Sequence, residues 1–331
     1  MSVTQEDVAA RAGVSRALVS LVMRESPRVS ASKREAVLRA AGELGYTPNA
    51  HAAQLASRRT MTLGLVVMEM QNPLMSRVIQ AAEDRAEEAG YGVSLAVGDM
   101  DPAVERRAVN RLLGRRVDGL ILAASRLPSD EIRDLAAQVP VLVAGRRVNG
   151  VDTVAVDDRS GARLAVEHLI NLGHKRIAHI DGGDGPGAQI RQRAYRQTLE
   201  AHGLPAQVPS TTGGYTERGG IAAAQELLEG ADSPTAIFAA NDLSALGALA
   251  VAKDMGLRVP ADLSVVGFDN TPLSQLQYVN LTSVNQPGPD IGILAVATLV
   301  GRIDDPEQAP RTRLLTPELR VRRTTAAPSG R

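Results

Sequence analysis

From position 62 onward, apolar runs of five or six residues alternate with amphipathic stretches of 12 to 17 residues, and few folds accept such a pattern. "LGLVVM" leads to "LMSRVIQAAEDRAEEAG", then to "GVSLAV", "AVERRAVNRLLGRR" and "DGLILA". The plan repeats in "RIAHI", "QIRQRAYRQTLEAHG", "GGIAAAQELLEG", "TAIFAA", "LSALGALAVAKDMG" and "LSVVGF". Short continuous apolar runs separated by helices are parallel strands joined by crossovers. The body therefore reads as α/β, with two halves that are each a doubly wound parallel sheet.

Ligands of such folds bind beyond the carboxyl ends of the strands. Glu69 and Asn72 follow the first strand, Asp181 follows "RIAHI", Asn241 and Asp242 follow "TAIFAA", and Asp269 follows "LSVVGF". One such residue ordinarily does no more than turn the chain. Their recurrence at strand ends in both halves points to a polar cleft between the halves.

The first 59 residues are different. They hold nine Arg or Lys against five Asp or Glu, whereas the rest hold 28 against 32, so a polyanion would meet the head. Thr4 can cap a helix from Gln5 to Ala12, which Gly13 ends, and Ser15 can cap "RALVSLVMR". Ser30 or Ser32 opens "KREAVLRAAGEL", which Gly45 closes. Val8, Ala12, Val19, Val22, Val37, Leu38, Ala41 and Leu44 fall at helical spacing and predict one small core. Two short helices joined by "AGVS" fit a helix-turn-helix, whose second helix lies in the major groove. There Arg16, Ala17, Ser20 and Leu21 share the face opposite Val19 and Val22. Arg16 could reach O6 and N7 of a guanine. Thr4, Ser15, Ser20 and Ser30, with the backbone amides at helix starts, suit phosphate oxygens.

Residues 46–60, "YTPNAHAAQLASRRT", carry a marked helix start at Asn49 and basic residues at the other end, Arg58 and Arg59. The stretch is too short to be a stable isolated helix.

The segment "VTQEDVAARAGVSRALVSLVMRESPRVSASKREAVLRAAGELGYTPNAHAAQLASRRT" resembles the DNA-binding head and hinge of the lactose-repressor (LacI/GalR) family of bacterial transcription regulators. The resemblance continues through "RRVDGLIL", "LAVEHLINLGHKRIAHI", "PTAIFAANDLSALGAL", "LSVVGFDN" and "LTSVNQP". It implies an all-α helix-turn-helix head and hinge helix, then a core like periplasmic binding proteins. The implied divisions are residues 1–48 for the head and 49–60 for the hinge and linker. Residues 61–156 with 288–315 form the first core subdomain, 157–287 with 316–325 the second, and 326–331 a tail. The hinge implied by the family folds in the minor groove when two copies meet: Asn49 starts it, Ala52 allows close approach, and Leu55 wedges a base step.

By matched motif the polar effector contacts are Arg191, Asn241, Asp269 and Gln286, and Tyr215 stands where the family often places an aromatic against a sugar. Arg191 and Asp269 suit neighbouring hydroxyls, one as a fork of donors and one as a carboxylate acceptor. Several positions depart from the family. Leu18, Leu21 and Arg24 replace Thr, Arg and Asn on or after the reading helix, so base readout rests on Arg16 and Arg24. In the cleft, Leu74 and Met75 replace an aromatic pair, Glu69 an aspartate, and Gly145 another aspartate. The implied effector is a sugar or sugar phosphate, with a nucleobase, polyol or other small metabolite as alternatives.

The composition narrows other classes. There is no cysteine, hence no disulfide or thiolate chemistry. His51, His168, His174, His179 and His202 include no H-E-x-x-H, no G-x-S-x-G occurs, and "DGGDGPG" at 181–187 lacks the dinucleotide spacing, so it reads as a loop beside the cleft. His168 and His174 flank a helix end, where histidine ordinarily meets the last carbonyls or the dipole. No enzymatic activity, cofactor or metal is expected. No apolar run approaches a membrane span, and "MSVTQEDVAARAG" lacks the features of an export signal, which predicts a cytoplasmic protein. An exported solute-binding protein, the main rival, would have no use for the basic head. No leucine heptad precedes Arg331, so a homodimer on double-stranded operator DNA is expected, joined through the helix after Pro73 and the helix holding Leu246 and Leu249.

Overall fold

The structure, a computed structural model, describes residues 3–23, 29–46, 59–207, 213–230 and 232–329. It divides into two units, Met1–Thr60 and Met61–Arg331.

In the first unit, α1 (Gln5–Ala12) opens on a reciprocal cap: Thr4 N donates to Asp7 Oδ2 at 2.8 Å and Asp7 N donates to Thr4 Oγ1 at 3.3 Å. Gly13, with φ 66°, takes the left-handed turn that ends it. Ser15 Oγ accepts from Leu18 N in the first turn of α2 (Arg16–Met23). Ser30 precedes α3 (Ala31–Leu44) without a side-chain cap bond. Val8, Val19, Val22, Val29, Val37 and three alanines make the core, with Ala12 and Leu44 at its margin. Leu38, expected in that core, is 52% exposed: it lies one residue past Val37, about 100° around the helix and off the inward stripe.

The second unit holds two six-stranded sheets. β1 (Thr62–Val67), α4 (Pro73–Glu88), β2 (Gly92–Val97), α5 (Pro102–Gly114), β3 (Gly119–Ala123), α6 (Ser129–Ala136), β4 (Val141–Ala144) and β5 (Asp152–Val156) begin the first subdomain. α11 (Gly288–Asp304) and β11 (Thr312–Leu315) complete it, giving the order β11-β5-β4-β3-β1-β2, with every pairing parallel. α4 and α11 cover one face, and α5 and α6 the other.

The second subdomain comprises α7 (Asp158–Asn171), β6 (Ile177–Ile180), α8 (Ala188–Ala201), β7 (Ala206–Gln207), α9 (Glu217–Glu229), β8 (Ala236–Ala239), α10 (Asp242–Asp254), β9 (Ser264–Asp269) and β10 (Thr282–Asn285), closed by β12 (Glu318–Arg320). Its order is β12-β10-β9-β8-β6-β7. Here β12 runs antiparallel to β10, a departure from an all-parallel sheet that leaves the doubly wound plan intact. α7 and α8 cover one face, and α9 and α10 the other. The chain passes between subdomains after β5, after β10 and between β11 and β12. The carboxyl ends of both sheets thereby border one cleft.

Candidate DNA-reading face and ligand cleft

On α2, Arg16, Ala17 and Leu21 are exposed and Ser20 is half-buried, on the face opposite the buried Val19 and Val22. Arg16 lies 3.8 Å from Glu6, and both side chains are well exposed, so the pair is weak and leaves the guanidinium available. Leu18, by contrast, packs against the head's core. Ser15, Ser30 and Thr4 are exposed, but the Thr4 hydroxyl already donates to Asp7 Oδ2 at 2.7 Å, which competes with any phosphate contact. Arg24, Asn49, Ala52 and Leu55, and with them the expected hinge helix, lie outside the described residues.

Of the nine polar residues singled out for the cleft, all but Asp181 and Asp242 line it. Glu69 and Asn72 stand beyond β1, Arg191 in the first turn of α8, Tyr215 ahead of α9, Asn241 at the start of α10, Asp269 at the end of β9 and Gln286 after β10, around a space of about 700 Å³. Leu74, Met75 and Gly145 line it too.

Each polar group is held by its neighbours. Arg191 is buried, donates from Nε to Asp158 Oδ1 at 2.8 Å and from Nη1 to the Ala240 carbonyl, and stacks with its guanidinium carbon 3.8 Å from the Phe268 ring centroid. Asp269 accepts from Gln286 Nε2 at 2.6 Å and from Asn72 Nδ2 at 3.1 Å. The second of these bonds joins the two subdomains across the cleft, because Asn72 belongs to the first. Asn72 is fixed in turn by capping α4, its Oδ1 accepting from Leu74 N at 2.9 Å. Asn241 does the same for α10, accepting from Ser244 N, and donates to the Tyr215 carbonyl at 3.0 Å.

Tyr215 explains the glycine-rich loop. Its hydroxyl donates to the Pro186 carbonyl at 2.7 Å, and its ring rests on Gly182 and Gly185, where a Cβ would come within 2.4 and 2.3 Å of ring atoms. The loop is a saddle for this ring. Asp181, expected at the cleft as a strand-end acid, instead accepts from Gly183 N at 3.1 Å and Gln192 Nε2 at 3.2 Å beside a separate surface hollow.

Two further carboxylates support the site from behind. Asp158, which no apolar run in the sequence marks, orients Arg191. Asp242 is buried and accepts from Thr271 N at 2.6 Å, Thr271 Oγ1 at 2.8 Å and Ser283 Oγ at 2.6 Å. Burial and then nearby Asp269 push its pKa up to about 7, and burial pushes Asp269 up to about 6 against the pull of Arg191. Glu69 is raised as well, by burial and by Asp269. A carboxyl that holds its proton more tightly when folded than when unfolded stabilises the fold at low pH, and that stability is lost as pH rises. The core should therefore lose stability between about pH 4 and 7, through Asp242 and Asp269. Asp242→Asn keeps one acceptor for Thr271 and can donate to Ser283, so it should flatten this loss in calorimetric melts across the window. An unchanged slope would mean that Asp242 stays ionised.

His168 and His174 hold the segment at 325–326. His168 Nε2 meets Thr325 Oγ1 at 2.9 Å, and His174 meets Thr235, Ser264 and the Ala326 carbonyl at 2.9–3.0 Å. Their bonds go to these groups rather than to their own helix's last carbonyls. Among the described residues no group of three or more His, Cys, Asp or Glu could hold a metal ion, and no helix is long and apolar enough to cross a membrane.

A small helical head with an exposed helix face, together with a two-subdomain body built around a polar cleft, is the architecture of a DNA-binding regulator with a ligand cleft. Residues 4–49 match the family of bacterial regulatory proteins of the lacI type, and residues 166–325 match a periplasmic binding protein-like domain. Catabolite control protein A of Priestia megaterium is 38% identical over 90% of this chain and 92% of its own. Among solved structures, the lac repressor dimer bound to operator and the anti-inducer ONPF superposes with a TM-score of 0.89 at 32% identity, covering 99% of this chain and all of that one. A CelR–cellobiose complex does so with 0.73 at 35% identity, covering 97% and 99%. The chain belongs to the LacI family of DNA-binding transcriptional regulators.

Proposed function

We propose that the protein is a repressor that binds a pseudo-palindromic operator as a homodimer and is switched by a small hydroxylated metabolite, a sugar or sugar derivative, in the cleft. The observation that carries this reading is the convergence of Glu69, Asn72, Arg191, Tyr215, Asn241, Asp269 and Gln286 on one space between two subdomains of a chain with a reading head. The lac repressor dimer on its operator and the CelR–cellobiose complex support it by likeness. The chain acts by binding rather than by catalysis, in the cytoplasm. Its subdomains are taken as 61–156 with 288–315 and 157–287 with 316–325.

In the head, Arg16 reads bases with Ala17, Ser20 and Leu21, while Ser15, Ser30 and the α1 start at Thr4 position the phosphate backbone. The hinge supplies Asn49, Ala52 and Leu55, and Arg24 adds a contact at the end of α2. Two heads are needed because one buries too little surface for tight specific binding. Ligand in the cleft changes the relation of the first subdomains across the dimer and so brings the hinges together or separates them. Such a switch requires the ligand to favour one state by several kcal/mol.

Arg16→Ala should cost about 1–3 kcal/mol of sequence discrimination per half-site, measured by competition between selected and scrambled DNA. Unchanged discrimination would remove Arg16 from the reading face.

A further inference from the structure

Two acids stand in the first turn of α1, where carboxylates suit the helix dipole, and they are used differently. Asp7 closes the cap, its Oδ2 accepting from Thr4 N at 2.8 Å and from Thr4 Oγ1 at 2.7 Å. Glu6 faces α2 instead. Its Oε1 lies 3.8 Å from Arg16 Nη1, and the two side chains are 76% and 69% exposed. An ion pair so open to water adds little to stability, which leaves both groups free to meet another molecule.

Arg16 reads bases under the proposed function, and this inference rests on that reading. Successive base pairs are about 3.4 Å apart, so with Arg16 on the O6 and N7 of a guanine, the Glu6 carboxylate is within reach of the neighbouring base pair. A carboxylate there is selective, because it offers acceptors and no donor. Phosphate oxygens, guanine N7 and O6, and thymine O4 all repel it. The amines it can accept from are cytosine N4 and adenine N6, and they are not equal. The adenine amine sits between two acceptors, its own N7 and the O4 of the paired thymine, whereas cytosine N4 has an acceptor on one side alone. We propose that Glu6 is a second base-reading residue: while Arg16 holds a guanine, the Glu6 carboxylate accepts from N4 of a cytosine in the adjacent base pair, so that each half-site carries the two side by side. The same charge weakens binding to any sequence that lacks this amine.

The test is selection from a random double-stranded pool by the full-length protein, followed by competition measurements on single base-pair replacements. The wild type should select a guanine with a cytosine in the adjacent base pair, and replacing that cytosine should weaken binding about tenfold per half-site. Glu6→Gln should move the preference at that position to adenine, whose N6 and N7 suit an amide, while the guanine stays. Glu6→Ala should lose the preference there and nowhere else. A wild-type half-site without the cytosine would overturn the inference. So would Glu6 variants that select the wild-type half-site, whether bound equally or uniformly more tightly; Glu6 would then act on phosphates or on the helix start alone, and the role of Arg16 would stand. If Arg16→Ala also selects the wild-type half-site, both readings fall.

Discussion

Arg191→Ala is expected to destabilise the second subdomain by about 3–5 kcal/mol and, in the same molecule, to abolish the response to effector. The two losses have different causes. The first follows from burial: Asp158 is 7% exposed, and without the guanidinium its carboxylate stays desolvated and unpaired. The second follows from position, since Arg191 lines the cleft beside Asp269 and Asn241. Adding Asp158→Ala separates them. Removing both partners of a buried pair is far less costly than removing one, so the double variant should regain most of the lost stability and none of the ligand response. A double variant that regained both would make Arg191 a structural residue outside the binding site.

Gly247→Ala gives the second large effect, and magnitudes decide its sign. Gly247 lies in the interior of α10, where alanine is intrinsically better by about 1 kcal/mol. However, a Cβ at Gly247 would come within 2.4 Å of the Glu217 carbonyl oxygen and 2.6 Å of Ile221 N on α9, both backbone atoms that cannot turn aside. The helices would have to separate, opening the packing of Ala223, Ala224, Ala245 and Ala248. Overpacking of this kind costs about 1–3 kcal/mol and more where backbone must move, which outweighs the propensity gain. Thermal melts should show a net loss of about 2 kcal/mol. A stabilised variant would mean that the helices approach each other less closely than these distances require.

Much of this molecule is legible in its sequence because strand ends and sites coincide in a doubly wound fold. Glu69, Asn72, Asn241 and Asp269 could be found as polar residues following apolar runs. Arg191, Tyr215 and Gln286 follow no such run, and only the family resemblance pointed to them. Asp158 stayed hidden because β5, "DTVAV", does not read as an apolar strand. Its Asp152 is buried by an ion pair with Arg302 at 2.8 Å and a bond from Arg311 N at 2.7 Å, both supplied from about 150 residues away. The same distance defeats any local reading of His168 and His174, whose partners Thr325 and Ala326 lie about 150 residues along the chain. Leu38 and Asp181 mark the opposite error, since each fits a periodic pattern whose cluster its side chain does not join.

The proposed function requires that the cleft be coupled to the head, and one titration addresses that coupling. Full-length protein would be bound to DNA selected from a random double-stranded pool, and its affinity followed by fluorescence anisotropy as a calorimetrically verified sugar ligand is added. The expected result is a change in DNA affinity of about a hundredfold or more for the wild type and none for the Asp158→Ala/Arg191→Ala variant. A sugar that calorimetry shows to be bound in the cleft, yet which leaves the wild-type DNA affinity unchanged, would contradict it.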